Sequence, residues 1–335
     1  MEEKKTLLSY KPGTILQGVY KSYGRFGFLI TDDDHEDVYI SDRDHLNAVN
    51  NDTVEVKTMK SETGRHNTEG RVMKVLERAN DTFVCTYEML KDGGEAVPID
   101  EKVDMYIEIP EGQEMDATTG ARVIVEVTRW PGEWTDAEGR VTEVIGYKGD
   151  KGLDIDIIVA QHRLPHEFSE KVLDEAENLP RDIRMEKGLT DFRALPIVTI
   201  DGPDSKDLDD AVYHIADVSR YVTKGALLDD EAYRRGTSVY LADRVIPMLP
   251  FQLSNDLCSL NHDEDRYAMS CVMDVSPDGK VKTELVTPSI VRVARRCNYP
   301  EINKAFHEGI MPADLAHFMP MLEDLKACAD ALRTD

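Results

Sequence analysis

Five aspartates fall within ten positions in the run Ile200-Asp201-Gly202-Pro203-Asp204-Ser205-Lys206-Asp207-Leu208-Asp209-Asp210-Ala211. Carboxylates this crowded repel one another. At an effective dielectric of about 20, each pair about 4–5 Å apart costs on the order of 3–4 kcal/mol. A bound divalent cation removes that cost. Oxygen donors with no thiol or imidazole among them suit a hard ion that keeps water and phosphate in its shell, namely magnesium, or manganese as a substitute. A calcium loop of the EF-hand type does not fit, because the required spacing of acids, glycine and closing glutamate fails from either Asp201 or Asp207. The competing reading is a solvated acidic turn, which a chain rich in acid can carry anywhere. Ile197, Val198 and Ile200 before the run, and Ala211 and Val212 after it, argue against that turn. They place the acids at the end of a buried strand, where carboxylates project into a shaped site.

The elements that must position this chemistry lie in a chain that changes character along its length. From Thr14 to Met59, short β-type runs alternate with turn signals, the rhythm of a small antiparallel barrel. Tyr20, Tyr23, Phe26, Phe28 and Tyr39 sit there among Lys21, Arg25, Gly24 and Gly27. Aromatics at period two on one strand face can stack on unpaired bases while the cations meet phosphate. The alternative is that Phe26 and Phe28 line the barrel core. The pattern Y-G-R-F-G-F-L-I followed by D-V-Y-I resembles a cold-shock-type OB barrel, which favours stacking. A second β-rich stretch, from about Arg71 to Gly146, has the length of another barrel. Its Trp130 and Trp134 flank a Pro-Gly turn, where a tryptophan more commonly anchors the turn than grips a base. The segment from His166 to Asn178 carries Phe168, Val172, Leu173 and Ala176 at helical spacing, closed by Pro180, and predicts an amphipathic connecting helix.

Length and charge limit the alternatives. The 335 residues suit roughly two domains or more, and 41% hydrophobic residues against 31% charged ones exclude a wholly disordered chain. With 40 Lys and Arg against 65 Asp and Glu, the net charge is −25, so any nucleic-acid contact must be local. Such contact is expected at Lys21, Arg25 and Arg43 and along a channel lined by Arg234, Arg235, Arg244 and Arg266. Five widely spaced cysteines without a C-x-x-C pattern read as buried thiols, and the scattered histidines give little support to zinc. No apolar window is long enough to span a membrane, and the charged start does not resemble a secretory signal. A soluble, cytoplasmic protein with no membrane partner is expected.

The run V-T-I-D-G-P-D-S-K-D-L-D-D-A-V resembles the metal-binding signature of the ribonuclease II/ribonuclease R (RNB) family of exoribonucleases. The likeness extends through H-I-A-D-V-S-R-Y-V (214–222), E-A-Y-R-R-G-T-S-V-Y (231–240), V-I-P-M-L-P (245–250), L-S-N-D-L-C-S-L-N (253–261) and D-R-Y-A-M-S-C (265–271), with the ribonuclease R branch nearest. It implies an α+β multidomain fold: two N-terminal OB-type, cold-shock-like β-barrels, then an incomplete mixed α/β catalytic domain. The corresponding segments are a tail (1–12), barrels at 13–66 and 67–150, a connecting segment (151–190) and a partial RNB domain (191–335). The implied reaction is processive 3′→5′ hydrolysis of RNA to nucleoside 5′-monophosphates. Asp201, Asp207, Asp209 and Asp210 fall on the family's metal-binding aspartates, with Mg2+, or Mn2+, as cofactor. Asp204 is a more peripheral group. Tyr299 falls at the place of the aromatic that clamps terminal bases, with Tyr240 as a second stacking residue beside Phe26 and Phe28. Single-stranded RNA, or RNA with a single-stranded 3′ tail, is the implied partner of a monomer, with ribosome or RNA-decay association by analogy.

Two departures from the family shape the expectations. Family members carry a strand, a turn and a return strand between D-D-A-V and H-I-A-D-V-S, whereas here Tyr213 runs straight into His214. With no turn residues between them, the flanking segments are expected not to pair in the family's manner, and His214 and Asp217 are given structural roles. The chain also stops before the family's later arginines, its additional acid and its C-terminal RNA-binding barrel, so a truncated member with weakened transition-state stabilisation is expected. The alternative is a catalytically inactive RNA-binding remnant. A metal-dependent phosphatase acting on small esters is a third, weaker reading.

Overall fold

A computed structural model of the chain describes residues 8–31, 35–61, 68–132, 135–203, 208, 210–211 and 214–333. It divides into two compact units, Met1–Leu164 and Pro165–Asp335.

The first unit holds two closed five-stranded barrels of the same topology. Strands β1 (Ile15–Ser22), β2 (Phe26–Ile30), β3 (Val38–Ser41), β4 (Thr53–Met59) and β5 (Glu69–Glu77) close in the order β1-β2-β3-β5-β4. Strands β6 (Thr82–Leu90), β7 (Gly93–Pro98), β8 (Ile107–Ile109), β9 (Ala121–Arg129) and β10 (Ala137–Tyr147) close in the equivalent order β6-β7-β8-β10-β9. Strict alternation drives both. In β9 every second residue from Ala121 to Val127 is buried, so one face fills the barrel and the other meets solvent. Each barrel closes through one parallel pair, β3 with β5 and β8 with β10. β5 belongs to the first barrel, which corrects the boundary at residues 66 and 67 expected from the sequence. It pairs antiparallel with β4 along most of its length and parallel with β3 at its start. α1 (Leu153–Gln161) follows the second barrel and buries Leu153 and Val159.

Within this unit the barrels are joined by polar contacts. Asp52 is fully buried and accepts hydrogen bonds from the backbone amides of Val49 (3.0 Å) and Ala79 (2.9 Å) and from Arg78 Nη1 (2.7 Å). The Arg78 guanidinium lies 3.6 Å from the Trp130 ring centroid, and Trp130 meets Phe83 edge-on. Trp130 thus anchors its own barrel against the first one, while Trp134 lies outside the described residues. Asn47 Nδ2 donates to the Pro131 carbonyl at 2.7 Å and Ser22 Oγ to the Lys102 carbonyl at 2.9 Å.

The second unit opens with α2 (Glu170–Glu177), in which Val172 and Ala176 are buried as the helical spacing predicts. A mixed sheet follows, built from β11 (Thr190–Asp191), β12 (Ile197–Asp201), β13 (Asp210–Ala211) and β14 (His214–Ala216). Beyond α3 (Leu227–Arg235) and the small hairpin β15 (Val239–Tyr240) and β16 (Val245–Ile246), the long strands β17 (Asp265–Val275) and β18 (Val281–Asn298) complete it. The order is β11-β18-β17-β14-β13, with β12 parallel to the far end of β18. β13 pairs antiparallel with β14, Asp210 opposite Ile215 and Ala211 opposite His214. The sequence led to the expectation that these segments do not pair in the family's manner; they do pair, over two residues of each strand. α4 (Tyr299–Glu308) starts at the Asn298 cap, whose side chain accepts from the Glu301 amide at 2.9 Å. α5 (Met319–Leu332) packs through Leu322 into a core with Val198, Cys297, Ile302 and Leu315. Cys85, Cys258 and Cys297 are buried thiols as expected, but Cys271 and Cys328 are only partly covered.

Candidate active site and nucleic-acid interface

The acidic run begins where β12 ends. Asp201 is the last residue of that strand, in register with Asn298, and its Oδ2 is shut off from solvent. Asp210 lies in β13, and β12 and β13 approach each other closely. Between the two aspartates Leu208 is 2% exposed. Its amide donates to Ser259 Oγ at 3.1 Å, and its carbonyl accepts from the Leu260 amide at 2.5 Å. One apolar side chain and two backbone bonds therefore hold the chain at the centre of the acidic run. Asp204, Asp207 and Asp209 lie outside the described residues. Among the described residues no three metal-ligating side chains come together. Ser259, inside the motif L-S-N-D-L-C-S-L-N, is the positioning residue that sequence reasoning missed, since only the folded chain brings it to Leu208.

His214, opposite Ala211, is buried. Its Nδ1 lies 2.6 Å from Ser270 Oγ, which in turn lies 2.5 Å from Ser289 Oγ. Burial pushes the imidazole below its ordinary pKa, so the neutral ring is favoured in this chain of hydroxyls. Asp217 accepts from Ser219 Oγ at 2.6 Å and lies 3.8 Å from Arg220. Both residues are bound into local structure.

On the first barrel the aromatic residues divide by strand parity. Tyr20 is buried, so it belongs to the core and not to a stacking face. Phe28 is half-buried and Phe26 is 38% exposed, on the opposite face of β2 from buried Gly27 and Leu29. The reading in which these phenylalanines line the barrel interior fails on that parity. Lys21, Phe28 and Tyr39 lie abreast on β1, β2 and β3. The Phe28 and Tyr39 rings are 5.7 Å apart, Phe26 stacks at 5.9 Å from Tyr39, and Tyr23 stacks at 5.7 Å from Phe26. Lys21 Nζ donates to Asn51 Oδ1, and Arg25 and Arg43 are exposed. The result is an open aromatic surface edged by cations, the chemistry needed to stack bases and hold phosphates.

The four arginines assigned to a channel do not behave alike. Arg266 is buried, bonded to the carbonyls of Asp256 (3.1 Å) and Ser259 (3.0 Å) and paired with Asp256 and Glu264. The Arg235 side chain is 2% exposed, paired with Glu231 at 2.7 Å and stacked over Phe168 at 3.7 Å. These two are corrected to structural cations: taking an unpaired guanidinium out of water is too costly unless acids and carbonyls meet it. Arg234 and Arg244 remain at the surface, paired with Glu231 and Asp243. Tyr240 and Tyr299 are 67% and 58% exposed.

Three domain families match in the order of the fold. A ribonuclease B OB domain matches residues 22–75, which agrees with placing β5 in the first barrel. A cold shock domain matches residues 96–169 and an RNB domain residues 189–335. The chain is 36% identical to ribonuclease R of Acidithiobacillus ferrooxidans over 317 residues, covering 90% of this chain and 72% of that one. Ribonuclease R of Thermotoga maritima is also 36% identical, over 96% of this chain and 47% of its own. The chain belongs to the ribonuclease R family, and spans about half the length of several curated relatives it matches. In fold it is similar to Mycoplasma genitalium RNase R in complex with ribose-methylated single-stranded RNA, with TM-score 0.88 and 24% identity over 95% of this chain and 53% of that one. Yeast Ssd1, a pseudonuclease, shares the fold at TM-score 0.64 and 16% identity, over 91% and 48% of the two chains.

Proposed function

We propose that the chain carries the RNA-entry barrels and the metal-binding acids of a processive 3′→5′ exoribonuclease that releases nucleoside 5′-monophosphates. The observation that carries this reading is the anchoring of the acidic run: Asp201 ends a sheet strand with a buried carboxylate oxygen, and Leu208 pins the segment that follows. A merely solvated turn has no use for such an anchor. The donor set consists of carboxylates, which suit a hard dication, and Asp201, Asp207, Asp209 and Asp210 would hold Mg2+ or Mn2+. That ion supplies polarisation of the scissile phosphate, activation of water and stabilisation of the departing 3′ oxygen. Water adds to the terminal phosphorus as the bond to the preceding 3′ oxygen breaks, leaving a 5′-monophosphate and an RNA shorter by one residue.

The rest of the chain binds and orients RNA. Phe26, Phe28 and Tyr39 stack bases on the first barrel while Lys21 and Arg25 meet phosphates, and Tyr240 and Tyr299 offer exposed rings to the terminal bases. Single-stranded RNA, or RNA with a 3′ tail, is the substrate class, in keeping with the single-stranded RNA bound by the Mycoplasma protein. Among the described residues no helix is long and apolar enough to cross a membrane. Work as a cytoplasmic monomer near ribosomes or the RNA-decay machinery belongs to the same proposal. A second reading, RNA binding without cleavage, is favoured by one observation: the fold also serves a pseudonuclease.

Incubation with 3′-tailed single-stranded RNA and magnesium separates the two. Release of mononucleotides that disappears in Asp209→Asn supports the nuclease. Binding without release supports the second reading, and neither binding nor release defeats both.

A further inference from the structure

The two barrels share more than topology, and their matching positions can be aligned by strand register alone. Tyr20 on β1 and Tyr87 on β6 are both fully buried. Each ring covers a glycine on the next strand, Gly27 and Gly94 respectively, where an added Cβ would strike the ring. Stepping one residue outward from each tyrosine gives equivalent rows across three strands. On the first barrel the row reads Lys21, Phe28, Tyr39. On the second it reads Glu88, Glu95, Glu108. Each glutamate lies between inward-facing neighbours: Glu95 between buried Gly94 and Ala96, Glu108 between buried Ile107 and Ile109, and Glu88 beside buried Tyr87. All three carboxylates therefore face outward, and among the described residues none has an ion-pair partner.

We infer that Glu88, Glu95 and Glu108 are specificity-determining residues that bar RNA from the outer face of the second barrel and confine it to the first. This rests on the reading of the Lys21–Phe28–Tyr39 row as an RNA platform. Neighbouring strands lie about 4.8 Å apart, so three carboxylates spread over roughly 10 Å. A polyanion crossing that row meets like charge at every strand, well within the Debye length of about 10 Å at 0.1 M salt. The row itself carries no ring on which a base can stack; the exposed ring next to it is Tyr106, two residues before Glu108 and outside the row. The cation and both aromatics of the first barrel have each been replaced by the residue type least suited to RNA, while the Tyr–Gly packing beneath is kept. In the −25 chain this arrangement gives RNA one track across the paired barrels and not two.

The test uses the full chain, a labelled single-stranded oligouridylate and no divalent ion, with affinity read by fluorescence anisotropy from 0.05 to 0.5 M salt, as the design range of the titration. The triple variant E88Q/E95Q/E108Q should bind about fivefold more tightly at 0.1 M salt, and the gain should vanish toward 0.5 M as screening sets in. A control that removes the same charge from exposed glutamates elsewhere, E170Q/E177Q/E308Q, should give a much smaller gain. A gain below about 1.5-fold for the first triple, or equal gains for the two, overturns the inference. Glu88→Lys, Glu95→Phe and Glu108→Tyr together transplant the first barrel's row and should lengthen the RNA protected per chain; an unchanged footprint also counts against it. Phe28→Ala in the parent chain keeps the two ideas apart: lost affinity with no response to the glutamate changes sinks this inference alone. Unaltered affinity in Phe28→Ala sinks the platform reading and this inference with it.

Discussion

Replacing Leu208 with alanine should loosen the acidic run without disturbing either barrel. The side chain is 2% exposed, so its removal forfeits transfer free energy and leaves a cavity, about 2–5 kcal/mol for a buried leucine. The two backbone bonds that remain, to Ser259 and from Leu260, contribute about 1 kcal/mol each and cannot make up the loss. Leu208→Met keeps the volume and should cost less than about 1.5 kcal/mol. Because the chain has two units, a single melting curve need not be two-state, so native-state hydrogen exchange is the better assay. The Leu260 amide, bonded to the Leu208 carbonyl, should exchange roughly 30-fold faster or more in the alanine variant, while amides of β9 keep their protection. Unchanged protection at Leu260, or a loss spread equally over the barrels, would refute the idea that this leucine anchors the site.

His214 should make the second unit sensitive to acid. Its folded pKa lies below the ordinary 6.5 because burial disfavours the charged ring. The unfolded chain therefore binds the extra proton first, so this stabilisation is complete above pH 6.5 and declines as pH falls from there toward the folded value. Urea midpoints of the second unit should drop over that window in the parent and not in His214→Gln. Arg78→Met should cost about 2–4 kcal/mol by stranding the buried Asp52 carboxylate, softened because the Arg78 side chain is 20% exposed and two amides still serve Asp52. Adding Asp52→Asn should recover part of the loss, and additive losses in a double-mutant cycle would rule out the coupling. Phe28→Ala should weaken single-stranded RNA binding by about 1–3 kcal/mol, with an equal effect at all salt concentrations if stacking is what is lost.

What the sequence revealed, and what it hid, follows from the range of the interactions. Alternation within a strand is local, so the barrels were legible, but Tyr20 was grouped with the stacking aromatics although it fills the core. β5 was misplaced because its own alternation reads equally well as the start of the second β-rich stretch, and only its pairing with β4 and β3 assigns it to the first barrel. The short β13–β14 pairing was not legible because two paired residues per strand carry no alternation of their own. Charge alone could not separate Arg234, which stays at the surface, from Arg235, whose guanidinium is buried against Glu231 and Phe168. The row of Glu88, Glu95 and Glu108 is invisible along the chain, where the three are scattered among other acids; only strand register sets them side by side. The acidic run itself was plain from composition, but its anchoring through Leu208 and Ser259 joins segments about fifty residues apart.

Titration calorimetry of magnesium and manganese into the folded chain tests the central claim most directly. Uptake of the dication by the parent, lost when Asp207→Asn and Asp209→Asn are combined, is the expected result. A parent chain that takes up neither ion, or a double variant that takes them up as well as the parent, would contradict it.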